Sequence, residues 1–232
     1  MAAQEGGADR VELCAGIPEG GTTPSYGEIK VARRLLTSTR LHVIIRPRGG
    51  DFLYTPLEVE RMEDDIRMCR ELGVDGVVIG CLNADGTLDM DANRRLLDAA
   101  GDMSVTFHRA FDRARDPEHV LAQLADMGVS RVLTSGQQPT AEMGIEMLER
   151  LNRVADGRIT ILAGCGVNEH NIRKIQAATG VHEFHFSARV AVKSGMQYIN
   201  PDVYMGAKGV DEGELMYTSA DRVRATIGQL RQ

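Results

Sequence analysis

Seven short apolar runs punctuate the chain, at 10–14 (RVELC), 42–47 (HVIIRP), 76–80 (GVVIG), 105–109 (VTFHR), 131–135 (RVLTS), 159–164 (ITILAG) and 183–188 (EFHFSA). Each is five or six residues long, the length of a buried strand and too short for a helix. Between them lie longer stretches with helical spacing, near 24–36, 56–72, 89–100, 116–127, 139–155 and 168–179, and a last helix is expected over 219–231. Thr23-Pro24 and Asp116-Pro117 read as helix starts, with proline in the first turn. Gly73, Gly128 and Gly180 each stand where a left-handed C-cap must close a helix before the next strand.

Alternating strands and helices mean parallel strands joined by right-handed crossovers. The predicted fold is therefore an α/β (β/α)₈ TIM-type barrel, a single domain over 1–232, with the first β-strand and most of the first helix missing. Ala2-Ala3-Gln4-Glu5-Gly6 reads as the tail of that helix with its C-cap. About 20 further residues would complete eight units, so a truncated N-terminus is expected. A doubly wound open sheet is the alternative, and the odd half-unit at the start favours the barrel. Residues 189–217 show no period, with Gly195, Gly206, Gly209 and Gly213 scattered among polar residues. They are expected to form an irregular loop: a lid, an interface segment or disorder.

One parity of the strands is polar. Val11 and Leu13 alternate with Glu12 and Cys14, Val43 and Ile45 with His42, Ile44 and Arg46, Val105 and Phe107 with Thr106 and His108. Phe184 and Phe186 alternate with Glu183, His185 and Ser187. The apolar parity should face the helices and the polar parity the barrel interior. A buried charge needs a partner. Glu12 with Arg46 could be such a pair, and that structural reading stands beside a functional one.

Composition narrows the classes. Tryptophan is absent and aromatic residues make up 4%, so the core must be aliphatic. The net charge of −6, with no basic run, argues against nucleic acid or an anionic membrane as partner. No stretch is long and apolar enough to span a bilayer. MAAQEGGADR lacks the marks of a secretory signal, and the four cysteines form no C-x-x-C pair. Both features lead us to expect a cytoplasmic protein with reduced thiols.

Candidate chemistry gathers late in the strands, where barrel enzymes place their catalytic groups. In RPRGGDF (46–52), Arg46 and Arg48 project the same way, and guanidinium groups suit carboxylate or phosphate. Asp51 can hold one of them in place; a rim salt-bridge knot is the alternative. Ser135 and Ser187 end their strands. AGCGVNEHNI (163–172) places Gly164 and Gly166 before a helix capped by Asn168, a phosphate cradle in barrels. His108 could be an acid or base with Glu12 as a carboxylate partner, a ligand, or an interior hydrogen-bonded group. Cys14, Cys81 and Cys165 sit at or just past strand ends and could be soft-metal ligands or small packing residues. His119, His170 and His182 read as surface residues.

GGADRVELC (6–14), EGGTTPS (19–25), IIRPRGGDF (44–52), VTFHRAFD (105–112), RVLTSG (131–136) and FHFSAR (184–189) together resemble the CutC family, proteins named for copper homeostasis. The resemblance implies a cytosolic TIM-type barrel, a homodimer, and Cu(I) bound by cysteines. Members normally begin with a strand carrying a Glu and a Cys, which is absent here. The implied metal ligand is then Cys14, with Cys81 or Cys165 behind it. Three functions are expected in competition. One is a Cu(I)-handling barrel. Another is an enzyme acting on a small anionic ligand held by Arg46, Arg48, Asp51, Ser135, Gly164, Gly166 and Ser187. The third is a dimeric scaffold whose interior polar groups satisfy one another.

Overall fold

The structure, a computed structural model, describes residues 1–200, 202, 203, 205 and 211–231. The seven apolar runs are the strands β1 (Arg10–Leu13), β2 (Arg40–Ile44), β3 (Gly76–Ile79), β4 (Ser104–Phe107), β5 (Arg131–Thr134), β6 (Thr160–Gly164) and β7 (Glu183–His185). They pair in chain order, every pair parallel. The helices are α1 (Ala2–Glu5), α2 (Tyr26–Leu35), α3 (Pro56–Glu71), α4 (Met90–Ala100), α5 (Pro117–Asp126), α6 (Ile145–Ala155), α7 (Ile172–Thr179) and α8 (Ala220–Gly228).

β1 and β7 are the two edges of this sheet, as the odd strand count predicts. An open sheet of seven strands would hold its edges about 30 Å apart. Here Arg10 on β1 reaches Glu183 on β7 at 3.0 Å, and Glu12 Oε2 lies 3.8 Å from His185 Nδ1. The sheet is therefore curled on itself as a TIM-type barrel, and the open-sheet alternative falls.

Side-chain parity divides as the pattern predicts. Val43, Ile45, Val77, Ile79 and Val105 pack outward on Ile29, Met62, Ile66, Cys69 and Leu96 of α2, α3 and α4. Phe107, Val132, Ile161 and Ala163 pack on α5, α6 and α7 through Leu121, Leu124, Leu148, Leu151 and Ile175. Leu148 is fully buried, so Leu148→Ala is expected to cost about 2–5 kcal/mol, read as a lower urea midpoint. The inward parity carries His42, Ile44, Arg46, Thr106, His108 and Arg131, all buried. Gly76 makes room for this layer, because a Cβ there would stand 2.5 Å from the His42 ring.

Helix starts depart from the pattern by up to two turns. The stretch at 24–36 becomes helical at Tyr26, where Ser25 and Glu28 close a capping box. α6 begins at Ile145, not near 139. α7 begins at Ile172 after Asn171, because Asn168 spends its side chain on the His170 N–H and the Gly166 carbonyl. Asp116 caps α5 with Pro117 in its first turn, as read from the sequence.

The expected irregular segment 189–217 needs correction. It is bounded by an antiparallel ribbon of β8 (Arg189–Lys193) and β9 (Glu214–Thr218). Period-two alternation aligns Val190 with Tyr217 and Val192 with Leu215 on one face. Gly206 and Gly209 lie outside the described residues.

Candidate binding site at the strand ends

Arg46 follows β2 and turns into the barrel, 5% exposed. Its Nη1 donates to the Glu19 and Gly21 carbonyls at 2.8 and 2.9 Å, and its Nη2 to the Gly50 carbonyl at 3.0 Å. It thus ties the loop after β1 to the loop after β2. The Phe52 ring covers the guanidinium, 5.2 Å from its central carbon. No carboxylate pairs with Arg46 among the described residues, and its buried Nε–H has no acceptor. Glu12 faces His185 instead.

His108 ends β4 and meets the same Phe52 ring, with centroids 5.0 Å apart. Its Nδ1 accepts the Ala110 N–H at 3.2 Å, which leaves the proton of the neutral ring on Nε2. That Nε2 is buried with no partner among the described residues. Burial, then the Arg46 charge, push the imidazole down to about 3, so it is neutral at pH 7. Gly80 makes the space: a Cβ there would stand 2.6 Å from the His108 ring.

Asp112, in the 3₁₀ turn Arg109–Arg113, is the hub of the neighbouring rim. Its carboxylate accepts from the Ser135 and Gln137 N–H groups, from Thr134 Oγ1 and Ser135 Oγ, and from Arg109 Nε at 2.7 Å. Ser135, predicted as a ligand group, is fully buried and holds Arg109 Nη2 at 3.0 Å. Nothing in the strand pattern marks Asp112 as an acceptor. Its one signal was a short carboxylate four residues past the strand-ending His108.

The remaining predicted residues do not converge on Arg46 and His108. Arg48 stands at the rim, bound to Glu58 at 2.6 Å, to Asp51 at 2.9 Å and to the Leu53 carbonyl. Its hydrogen bond holds the Asp51 carboxyl below the usual range. Gly166 and Cys165 both have positive φ, and the Cys165 thiol meets the Pro139 carbonyl at 3.1 Å. Gly164 faces Leu133 and His185, and Ser187 is exposed. Gln137, Cys165 and Ala188, three of the four non-glycine residues with positive φ among the described residues, follow β5, β6 and β7. Such backbone costs about 1–3 kcal/mol per residue and gathers at functional sites.

The thiols sit in different surroundings. Cys14 lies under Gly21, whose Cβ position is 3.5 Å from its own. Burial, then Glu12, push its thiol up to about 11, so it stays protonated at neutral pH. Cys81 is buried and its thiol is raised further by burial. Among the described residues no three His, Cys, Asp or Glu side chains form a metal-holding group.

The profile of the CutC family matches residues 1–190. A family protein CutC of Bacteroides thetaiotaomicron is 60% identical over 232 residues, covering 100% of this chain and 93% of its own. One of Chromobacterium violaceum is 54% identical over 225 residues, covering 97% and 91%. Among solved structures, CutC of Streptococcus agalactiae, named as a copper homeostasis protein, is 38% identical with a TM-score of 0.74, covering 76% of this chain and 87% of that one. A structure described as QR15, an aldolase, is 10% identical with a TM-score of 0.55 over 78% of this chain and 90% of its own, and shares the fold alone.

Proposed function

The chain belongs to the CutC family, and on that footing we propose that it binds a small phosphate- or carboxylate-bearing metabolite at the C-terminal mouth of its barrel. The observation that carries this reading is Arg46: a buried guanidinium with, among the described residues, no carboxylate partner and no acceptor for its Nε–H. An uncompensated buried charge is costly, and an anion seated beside it removes the cost. The neutral His108 offers a second donor, Nε2–H, under the same Phe52 ring. Two donors and one positive charge select an acceptor oxygen. Phe52, which covers both Arg46 and His108, must lift to admit it.

Titration calorimetry with inorganic phosphate and with acetate tests the reading. Wild type is expected to bind at least one of them, and His108→Phe, which keeps the ring and removes the donor, to bind it roughly tenfold more weakly. Absence of binding in wild type, or equal binding in the variant, defeats the reading.

Copper handling is the second reading, supported by the name of the Streptococcus agalactiae relative and by Cys14 on the interior parity. Its test is Cu(I) competition against a chelator with wild type and Cys14→Ser; unchanged affinity removes it. Four free cysteines suit a reducing compartment, and we place the protein in the cytoplasm. No helix among the described residues is long and apolar enough to cross a membrane. The ribbon exposes Val192, Leu215 and Tyr217 on one face, which supports a homodimer.

A further inference from the structure

Arg109 stands immediately after His108, and its guanidinium is aimed by two groups. Asp112 Oδ2 takes the Nε–H at 2.7 Å and Ser135 Oγ takes Nη2 at 3.0 Å. Asp112 cannot swing away to follow Arg109, because the Ser135 and Gln137 N–H groups and the Thr134 hydroxyl hold it and its side chain is 8% exposed. Ser135 belongs to the inward parity of its strand, alternating with the outward Val132 and the outward-packed neighbours of β6. Arg109 is thus held against the residue that follows β5, at the end of the barrel where the strands finish. Its side chain keeps 41% of its surface open, and Nη1 donates to no group among the described residues. A planar fork fixed on one edge and free on the other is prepared for an oxyanion at the free edge.

The geometry points to Arg109 as a second anion subsite, so that the ligand of this protein carries two acidic groups, one on Arg46 and His108 and one on Arg109. This rests on the anion-binding reading above and extends it to a substrate class. His108 follows β4, Ser135 follows β5 and Arg46 stands just past β2, so the two subsites are one to three strands apart. At about 4.8 Å per strand around a curved mouth, the acidic groups must be roughly 5–10 Å apart. A dicarboxylate of five or more carbons, or a phosphorylated three-carbon acid, reaches this span. In this arrangement Asp112 is a positioning residue: it touches no ligand and fixes the edge that Arg109 presents.

Calorimetry with glutarate and 3-phosphoglycerate, against acetate and inorganic phosphate, decides it. Wild type is expected to bind one of the two-headed acids at least tenfold more tightly than either single anion, and Arg109→Gln to remove most of that advantage while phosphate affinity stays within about threefold. Arg109 is half-exposed at the rim, and its fold is checked by circular dichroism of the variant. Arg109→Lys, which keeps the charge and loses the fork, is expected to recover only part of the advantage. Equal affinity of wild type for one- and two-headed acids overturns the inference, as does an advantage that survives Arg109→Gln. The reading at Arg46 and His108 fails separately, if phosphate and acetate bind wild type and His108→Phe alike.

Discussion

Acidification from pH 7 to about pH 4.5 is expected to remove about 5 kcal/mol of folding stability through two interior histidines alone. His42 and His108 are 1% and 4% exposed, and both are pushed from 6.5 down to about 3. Burial is the first cause for each. Arg10 and Arg131 add to it at His42, where Asp75 opposes them, and Arg46 adds to it at His108. The folded imidazoles therefore refuse protons that the unfolded chain accepts. Their destabilising effect is absent above about pH 6.5 and grows as pH falls toward 3, at about 1.4 kcal/mol per pH unit for each ring. A domain whose total stability is on the order of 5–15 kcal/mol loses a large part of it in that window.

Urea midpoints at pH 7, 6 and 5 read the effect. Wild type should fall steadily, and the double variant His42→Gln, His108→Gln should be nearly flat over the same range. Carboxylates held low by arginine partners, such as Glu63 with Arg95 and Arg67, act in the same direction only below about pH 4.5, so the upper half of the window isolates the histidines. Equal wild-type midpoints at pH 7 and pH 5 would show that these rings take up protons inside the fold, and the neutral donor assigned to His108 would go with them.

The barrel was legible because parallel strands covered by helices leave a strong mark: five- or six-residue apolar runs at regular intervals. The polar parity also showed where side chains point, and His42, Arg46 and His108 do turn inward and are buried. What those side chains touch was not legible. Arg46 is held by the carbonyls of Glu19, Gly21 and Gly50, and a carbonyl acceptor leaves no trace in residue type. Arg48 shares the RPRGGDF motif, yet one residue pair along the rim it meets Glu58 and Asp51 and becomes a surface knot. The motif alone could not separate the two arginines. The β8–β9 ribbon was hidden for another reason: its alternation occupies five residues on each side of a long polar, glycine-bearing connection, and a loop signal outweighed it.

Asp112→Ala is expected to destabilise the fold by about 3–5 kcal/mol, more than any other single carboxylate change on this rim. The carboxylate accepts from two backbone N–H groups, two hydroxyls and one guanidinium, drawn from β5, the loop after it and its own turn. Alanine leaves the Ser135 and Gln137 N–H groups without their acceptor, and Ser135 is fully buried, so water replaces the lost bonds poorly. The backbone of this loop has little freedom to adjust. Gly144 packs so closely that a Cβ on it would stand 1.9 Å from the Ser135 carbonyl oxygen, and Gln137 is held at φ 56. Asp112→Asn keeps one oxygen but turns an NH₂ group toward donors, so a smaller loss of about 2–3 kcal/mol is expected. Glu63→Ala, where the carboxylate bridges Arg67 of its own helix and Arg95 of α4 and both arginines are half-exposed, should cost about 1 kcal/mol and serves as the comparison. If Asp112→Ala and Glu63→Ala lower the urea midpoint equally, the rim of β4 and β5 is not organised by Asp112, and the fixed edge of Arg109 loses its physical basis.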